Sequence, residues 1–285
     1  MTDRAGWLVP GATLCVMARK PEPARRPPPD DALPVPAPLE PPAWLDEEAG
    51  AIGVEFEPGE AQRLGAYLAL LLQANTTMNL TSVTEPDAAW RRHILDSLTL
   101  VGALVDLPEG SSVVDVGSGG GLPGLPLAIC MPGLKFTLLE ATGKKAEFLR
   151  RAVAALDLRH VEVVQERAER FGHDRGVRTG AGRVGIRREA FDAVTARAVA
   201  KLASLVELTV PLAKVGGRVL LIKGEKATAE LEEATPALHL LKAVHAQTIE
   251  TPSGKIVVIE KRAATPRDYP RRDGEPTRSP LGVKA

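Results

Sequence analysis

The feature that most constrains this sequence is an alternation of short apolar, β-branched segments with helical segments from Ser112 onward. Such alternation is typical of a parallel sheet covered by helices on both faces. A turn at residues 251–254 predicts that the last two strands form a hairpin and add an antiparallel edge. The sequence thus predicts an α/β fold with seven strands, at Val113–Val116, Phe136–Glu140, Val161–Gln165, Phe191–Arg197, Arg218–Lys223, Val244–Ile249 and Ile256–Lys261.

The rest of the chain divides into three further segments. Ten of the 22 residues from Pro21 to Pro42 are proline, so we interpret residues 1–42 as a disordered extension. Residues 43–107 are predicted to form an N-terminal helical cap, because leucines recur near a helical period at positions 64, 68, 71 and 72. The sheet domain is expected over residues 108–262. A basic, proline-containing tail, expected to be extended and only partly ordered, completes the chain at residues 263–285.

Composition excludes several classes of protein. The 36 basic and 36 acidic residues balance, so the chain lacks the overall positive charge of a typical nucleic-acid binder, and any such contact requires a local basic patch. The two cysteines, Cys15 and Cys130, lack zinc-site spacing, and their low number fits a reducing cytoplasm. No uninterrupted apolar stretch of about 18 residues predicts a membrane span. We therefore expect a cytoplasmic protein without a metal. A monomer is also expected.

A glycine loop carries the strongest functional signal. Strand residues Val114–Val116 are followed by Gly117-Ser118-Gly119-Gly120-Gly121, just before a predicted helix. Glycines permit positive φ angles and close approach of the backbone to a ligand, and the helix start offers free N–H groups. In open α/β sheets the ligand lies over the carboxyl ends of the strands.

Two cofactors compete for this loop. Residues 119–124 satisfy the dinucleotide pattern G-x-G-x-x-G, but that pattern expects its first glycine at the strand end, and here the strand ends two residues earlier. Asp115 could receive polar or cationic parts of S-adenosylmethionine, including its amino group. Glu140 ends the second strand, where a carboxylate can accept hydrogen bonds from both ribose hydroxyls of an adenosine, although it could instead cap the following helix. We favour the methyl donor.

Several segments together resemble one known family. They are Asn79–Val83, Arg92–Ser97, Asp115–Gly124, Arg197-Ala198 and Tyr269–Pro276. In this order they resemble the RsmG family, also called glucose-inhibited division protein B, over about residues 43–281. The proline-rich start and the Gly/Arg-rich segment at 170–189 depart from its usual pattern.

The resemblance implies 16S ribosomal RNA (guanine-N7) methyltransferase activity on a seven-stranded Rossmann-like fold with added N-terminal helices. It implies that S-adenosylmethionine is the cofactor and that 16S ribosomal RNA, or the small ribosomal subunit, is the partner. From the loop and the resemblance together, the expected cofactor-binding residues are Asp115, Gly117, Gly119, Gly121, Leu122, Glu140, Ala141, Thr142, Ala168, Glu169 and Arg197.

Arg197 is the expected catalytic residue, acting by positioning, because guanine N7 carries a lone pair and no proton and needs no general base. Its guanidinium could clamp a carboxylate or a phosphate, or could form an ion pair with Asp115 or Asp192 that merely holds the loop. His93 and Asp96 lie on one helix face and could fix the N-terminal cap over the site. A structural hydrogen bond is an equally good interpretation of His93.

RNA contacts are expected from local arginines. Residues 261–284 hold seven basic and three acidic side chains, and the resemblance extends through this tail. The segment Arg170–Glu189 holds six arginines and is interpreted as a mobile surface loop of solvated charges. Two alternatives to an RNA methyltransferase stay open: a methyltransferase acting on a small molecule, and a ribosome- or RNA-binding factor that has lost catalysis.

Overall fold

The computed structural model describes residues 36–179, 182–197 and 200–282. No helix within these ranges combines the length and the apolar character needed to cross a membrane. The part of the chain so described contains strands β1 (Ser112–Val116), β2 (Lys135–Leu139), β3 (Val161–Val164), β4 (Val177–Thr179), β5 (Gly182–Val184), β6 (Phe191–Arg197), β7 (Ala213–Lys223), β8 (Ala243–Thr251) and β9 (Gly254–Lys261).

Seven of these strands form one sheet in the order β3-β2-β1-β6-β7-β9-β8. The pairs from β3 to β7 are parallel, whereas β9 runs antiparallel to both β7 and β8. The predicted α/β fold, its seven strands and the terminal hairpin are thereby confirmed. The sheet order reverses beside β1, so the carboxyl ends of β1, β2 and β6 meet at one edge, where ligands bind in such sheets.

Helices cover both faces of this sheet. They are α1 (Leu45–Ala51), α2 (Glu60–Asn75), α3 (Pro86–Ala89), α4 (Asp96–Leu98), α5 (Gly124–Cys130), α6 (Gly143–Ala155), α7 (Ala168–Phe171), α8 (Leu202–Thr209), α9 (Ala227–Leu240) and α10 (Glu275–Arg278). A π-helical turn at Trp90–Leu95 joins α3 to α4, and a 3₁₀ turn at Val101–Ala103 follows α4.

Neighbouring residues of β1 face two different cores, because side chains alternate along a strand. Val113 belongs to a cluster with the N-terminal helices, α5 and α6, whereas Val114 belongs to a cluster with α8 and α9. The first cluster runs across the boundary predicted at residues 107 and 108. The N-terminal helices therefore form a layer of the same packed body as the sheet.

The N-terminal layer begins earlier than the sequence suggests. Residues 1–35 of the predicted disordered extension lie outside the described ranges. Within the described part, Leu39 N donates to Gly65 O at 3.1 Å, and a Cβ on Gly65 would lie 2.1 Å from Leu39 O. The chain thus packs against α2 already at Leu39, before the predicted boundary at residue 42.

The expectation of an extended, partly ordered tail is wrong for residues 263–282. Arg188 is only 5% exposed, and its guanidinium donates to the carbonyls of Gly172, Thr265, Pro266 and Tyr269 at 2.7–3.1 Å. His173 Nε2 lies 2.6 Å from Pro270 O. These contacts fix the tail against α7 and against the segment between β3 and β6.

The same contacts correct the interpretation of Arg170–Glu189 as a loop of solvated charges. The segment contains the antiparallel hairpin of β4 and β5, and Arg188 at its end is buried. Arg187 forms two hydrogen bonds of 2.8 and 2.9 Å with the carboxylate of Glu162. Residues 180 and 181 lie outside the described ranges.

Candidate active site

The glycine loop begins directly after β1 and is tied to β2. Gly117 and Ser118 both donate backbone hydrogen bonds to Leu139 O, at 2.8 and 3.2 Å. Gly117, Gly119 and Gly121 have φ angles of 71°, 56° and 96°. Residues other than glycine rarely adopt this left-handed region. The loop conformation thus favours glycine at these positions, as the sequence predicts.

The glycines of the loop differ in what their missing side chains leave room for. A Cβ on Gly119 would have only Gly117 O within 4 Å, at 3.8 Å, so this position faces open space. A Cβ on Gly120 would lie 2.7 Å from Leu71 Cδ1, and one on Gly121 would lie 2.4 Å from Leu125 Cδ1. Gly119 is thus the position open to a ligand, whereas Gly121, predicted as a ligand contact, lacks a side chain because Leu125 packs there.

Tyr67 supports the loop from α2. It is fully buried, and its hydroxyl donates to Gly120 O at 2.8 Å. Burial raises the pKa of Tyr67 far above its ordinary value, so the phenol keeps the proton that it donates. The sequence does not reveal this role, because a tyrosine on the apolar face of a helix predicts only a core position.

Asp115 lies beneath the loop. It is fully buried, and its carboxylate accepts hydrogen bonds from Gly124 N at 3.3 Å and Thr195 Oγ1 at 3.1 Å. Ser118 Oγ donates to the Asp115 carbonyl at 3.0 Å. A side chain with no exposed surface cannot touch a ligand above the loop. Asp115 therefore orients the loop and the start of α5, in place of the direct cofactor contact that the sequence predicts.

Asp115→Asn is expected to flatten the dependence of stability on pH. Burial raises the pKa of Asp115 from 3.8 to about 6. The folded chain then holds this proton more tightly than the unfolded chain. The resulting stability is fully present below about pH 4 and lost as pH rises through about 6, a change of up to about 3 kcal/mol. Asparagine keeps the shape without the charge.

Urea unfolding of both proteins at about pH 4 and about pH 8 measures this difference. The asparagine variant should gain stability relative to the unaltered protein at the higher pH. Other titrating groups are common to both proteins and cancel in the comparison. An identical pH dependence of the two unfolding free energies would contradict the raised pKa of Asp115.

Glu140 follows β2 and faces the glycine loop. It is 7% exposed, and its two oxygens accept hydrogen bonds from Gly119 N at 3.0 Å and Thr142 N at 2.7 Å. Gly119 lies in the loop and Thr142 precedes the first residue of α6. Glu140 therefore accepts no hydrogen bond from an N–H group within that helix. The carboxylate lies beside the open position at Gly119, and Ala141 and Thr142 are exposed next to it.

The Glu169 carboxylate is engaged by other residues of the protein, and its expected contact with the cofactor stays a prediction. It is 5% exposed and accepts hydrogen bonds from Gly274 N at 2.7 Å and from Arg167 Nη2 at 3.1 Å. Its carboxylate therefore ties α7 to the tail. Ala168, its neighbour, is partly exposed and packs against the core cluster under β6.

Arg197 ends β6 at the same edge of the sheet. Its Nη1 donates to Asp96 Oδ2 at 3.2 Å and to Arg92 O at 2.7 Å. Arg197 does not form the two ion pairs considered from the sequence. The Asp115 carboxylate is bound by Gly124 and Thr195, and Asp192 pairs with Lys214 at 2.7 Å. Asp96 is the partner, which fits the expectation that it fixes the N-terminal cap over the site.

Comparison with known proteins identifies the family. The model of the family described as GidB, rRNA small subunit methyltransferase G, matches residues 60–257. The ribosomal RNA small subunit methyltransferase G of Sorangium cellulosum is 49% identical over 249 residues, which cover 86% of this chain and 100% of that protein. The protein of the same name from Staphylococcus carnosus is 39% identical, covering 84% and 98%. This chain belongs to the GidB family.

His93 of the N-terminal layer has a structural role in this GidB protein. His93 is 4% exposed, and its Nε2 lies 2.9 Å from Thr81 Oγ1 and 3.2 Å from Val83 O. Burial lowers the pKa of His93, and the charge of Arg197 lowers it further, so the ring stays neutral. His93 thus holds the segment at 79–83, whose Leu80 packs over Gly120, and the structural interpretation is the better one.

Asn75 holds the same segment from the end of α2. Its side-chain oxygen accepts hydrogen bonds from Leu80 N and Thr81 N at 2.8 and 2.9 Å, and its amide donates to Thr81 O at 2.9 Å. The sequence does not predict this role, because an asparagine near a helix end is a common feature of any helix terminus.

The described geometry brings together the loop, Glu140, Ala141, Thr142 and Arg197 at one edge, with Leu122 nearly buried beneath them.

Proposed function

We propose that this protein transfers a methyl group from S-adenosylmethionine to N7 of a guanine in the 16S ribosomal RNA of the small subunit. Membership of the GidB family supports the reaction class, because the match extends over the whole length of the Sorangium relative. The observation that carries the proposal is the open position at Gly119 beside the Glu140 carboxylate. A cytoplasmic reaction is expected, since ribosomal subunits are its substrate.

The residues at the sheet edge fit an adenosine-containing methyl donor. Glu140 offers a carboxylate to ribose hydroxyls, and the backbone of Gly117 and Gly119 allows close approach. Ala141 and Thr142 are exposed beside it and Ala168 is partly exposed, as contacts for the base would require. Asp115, Tyr67 and Gly121 act underneath by fixing the loop.

Methyl transfer to guanine N7 requires mainly that the protein position the two reacting groups. The sulfonium of the donor supplies an activated methyl group, and guanine N7 attacks it with an in-plane lone pair and no proton to remove. Holding the two reacting atoms in line can supply on the order of 7 kcal/mol or more of the barrier. Arg197 lies at the end of β6 with a guanidinium suited to an anionic group of donor or RNA. No side chain has to act as a base.

The basic side chains of residues 261–278 include two that serve the fold and two that are exposed. Lys261 is fully buried and pairs with Glu189 at 2.7 Å, and Arg271 pairs with Glu207 at 2.7 Å, so both serve the fold. Arg267 and Arg272 are exposed and have no ion-pair partner among the described residues. They line an open cavity of about 400 Å³ between α7 and the tail. Its lining also includes Arg170 and Asp273, which pair at 2.8 Å, and the acidic residues Glu169, Asp268 and Glu275. Arg267 and Arg272 are the tail residues proposed to contact RNA.

Arg267→Ala/Arg272→Ala is expected to weaken RNA binding without affecting binding of the methyl donor. Each lost phosphate contact reduces the dependence of log K on log salt by about 0.7 to 0.9, so the slope should fall by up to about 2, with an affinity loss on the order of tenfold. The measurement is a filter-binding or fluorescence titration with small-subunit RNA at several salt concentrations.

Lys135→Ala is the control, because it removes an exposed lysine at the start of β2. It should leave the salt slope unchanged. If Lys135→Ala lowers the affinity as much as each single arginine substitution does, total charge, and not the tail surface, governs binding.

Methyl transfer tests the function itself. Labelled S-adenosylmethionine is incubated with small ribosomal subunits and with their deproteinised RNA, and the modified base is mapped by mass spectrometry. One 7-methylguanine in 16S ribosomal RNA is the expected product. Tight binding of the donor without transfer to either RNA would favour a small-molecule acceptor. Failure to bind the donor would favour a non-catalytic RNA-binding factor.

A further inference from the structure

A cluster of four residues joins three separate segments above the carboxyl edge of the sheet. We call it the Asp96 clasp, and it consists of Arg92, Asp96, Arg197 and Ser253. Asp96 Oδ2 accepts from Arg197 at 3.2 Å, and Asp96 Oδ1 accepts a hydrogen bond from Ser253 Oγ. Arg92 O accepts from Arg197, and the Arg92 side chain donates to Ser253 O at 3.4 Å. The clasp thus links the N-terminal layer to β6 and to the turn between β8 and β9.

The ion pair in the clasp is largely shielded from water. The side chains of Arg197 and Asp96 are 15% and 10% exposed. Screening by solvent is therefore weaker than for the ion pairs of the surface, and loss of one partner leaves the other charge poorly compensated. Asp96 also has both oxygens engaged, one by Arg197 and one by Ser253, so its orientation is fixed from two sides.

The clasp leaves one edge of the guanidinium available. Both hydrogen bonds that Arg197 makes within residues 36–179, 182–197 and 200–282 use Nη1, and Nε and Nη2 have no partner in these ranges. A guanidinium whose Nη1 is held can present Nε and Nη2 side by side to two oxygens of one anion, which is the strong bidentate arrangement. Without Asp96 the long side chain would have to lose its rotamer freedom each time the anion binds.

A π-helical turn carries this arrangement. Trp90–Leu95 adopts this rare geometry immediately before Asp96, and such turns occur frequently at functional sites. The Arg92 carbonyl, within the turn, accepts a hydrogen bond from Arg197, and Asp96 follows directly after the turn. The sequence thus uses backbone and side chain of the same short element to hold one guanidinium.

We propose that Asp96 is a positioning residue, which holds Arg197 so that its free edge binds a carboxylate or phosphate oxygen pair of the substrates. The inference rests on the proposed function, since it concerns the same site. The anion is either the carboxylate of the methyl donor or a phosphate of the RNA. The N-terminal layer thereby contributes directly to substrate binding and does not merely cover the sheet.

A double-mutant cycle tests the proposal. Asp96→Asn, Arg197→Ala and the double variant are titrated by calorimetry with S-adenosylmethionine and, separately, with small-subunit RNA. Asp96→Asn should weaken binding of one of the two ligands by about tenfold, and Arg197→Ala should weaken the same ligand at least as much. The double variant should be no weaker than Arg197→Ala alone, because Asp96 acts only through Arg197.

Asp106→Asn is the matched control. Asp106 also belongs to the N-terminal layer and pairs with a strand arginine, Arg218 on β7, at 2.8 Å, but it lies towards the other edge of the sheet. This variant should leave both affinities unchanged. Asp96→Glu, which keeps the charge, should recover part of the loss. Thermal unfolding of each variant checks that binding losses exceed any change in the folded fraction.

Losses in the double variant that multiply would overturn the proposal, because Asp96 would then act independently of Arg197. Unchanged affinities in Asp96→Asn for both ligands would overturn it as well. If Asp96→Asn does not fold, Ser253→Ala and Asp96→Glu provide the same cycle with a milder change. An unaltered protein that binds neither ligand would instead refute the proposed function, so the two failures are distinguishable.

Discussion

Gly119→Asn is expected to reduce the affinity for S-adenosylmethionine by more than about 100-fold while leaving the protein folded. Asparagine tolerates the left-handed backbone better than other side chains, so the φ of 56° at this position carries a small penalty. Its side chain would enter the open space that Gly119 leaves beside Glu140. Isothermal titration calorimetry of the variant with the methyl donor measures the loss.

Gly216→Asn is the matched control for backbone strain. Gly216 has a φ of 82°, a Cβ at this position would have no neighbouring atom within 4 Å, and the residue lies on β7 away from the glycine loop. The two variants should lose similar, small amounts of unfolding free energy. Only Gly119→Asn should lose affinity for the methyl donor. Equal donor affinities in the two variants would show that the ligand does not occupy the space at Gly119.

The sheet is predictable from sequence because its signal is local. Buried parallel strands consist of short β-branched runs, and their alternation with helices fixes the class of fold. The turn before Gly254 likewise predicts the hairpin. The observed strands are longer than predicted at several ends, and most clearly in β7, which begins at Ala213 and includes Lys214, Gly216 and Gly217 before Arg218. Such residues carry no apolar pattern, so only the pairing in the sheet reveals them.

The tail is not predictable in the same way, because composition does not show which charges find partners. Arginine and proline normally indicate exposed, extended chain. In this chain Arg188 is buried because four carbonyls from two remote segments converge on it. Three of them come from the tail itself, about 80 residues further along the chain. A long-range arrangement of this kind leaves no periodic trace in the sequence.

In the active site, too, some features can be predicted from the sequence and others cannot. The glycine loop and Glu140 stand next to strand ends, where spacing and topology are informative. The partner of Arg197 is 101 residues away on another element, and the Asp115 carboxylate points below the loop. Burial and direction of a side chain decide whether a residue binds a ligand or holds its neighbours, and neither can be read from a motif.

Arg271→Ala is expected to be the most destabilising single substitution in the tail. Glu207 on α8 is fully buried, and Arg271 binds it through Nη2 at 2.7 Å, Nε at 2.9 Å and its own backbone N at 2.7 Å. Arg271 Nη2 also donates to Ser279 O at 2.7 Å. Removing the guanidinium leaves a buried carboxylate without its counter-charge, which costs about 3 to 5 kcal/mol. Urea unfolding at neutral pH measures this loss.

Arg272→Ala provides the control one residue away, because Arg272 is exposed and has no ion-pair partner within the described ranges. Its unfolding free energy should stay within about 0.5 kcal/mol of the unaltered protein. Arg271→Ala/Glu207→Gln removes both charges and should recover part of the stability that Arg271→Ala loses, since the stranded charge is gone. If Arg271→Ala is no less stable than Arg272→Ala, the tail is not anchored through Glu207, and its contacts with α8 contribute little to the fold.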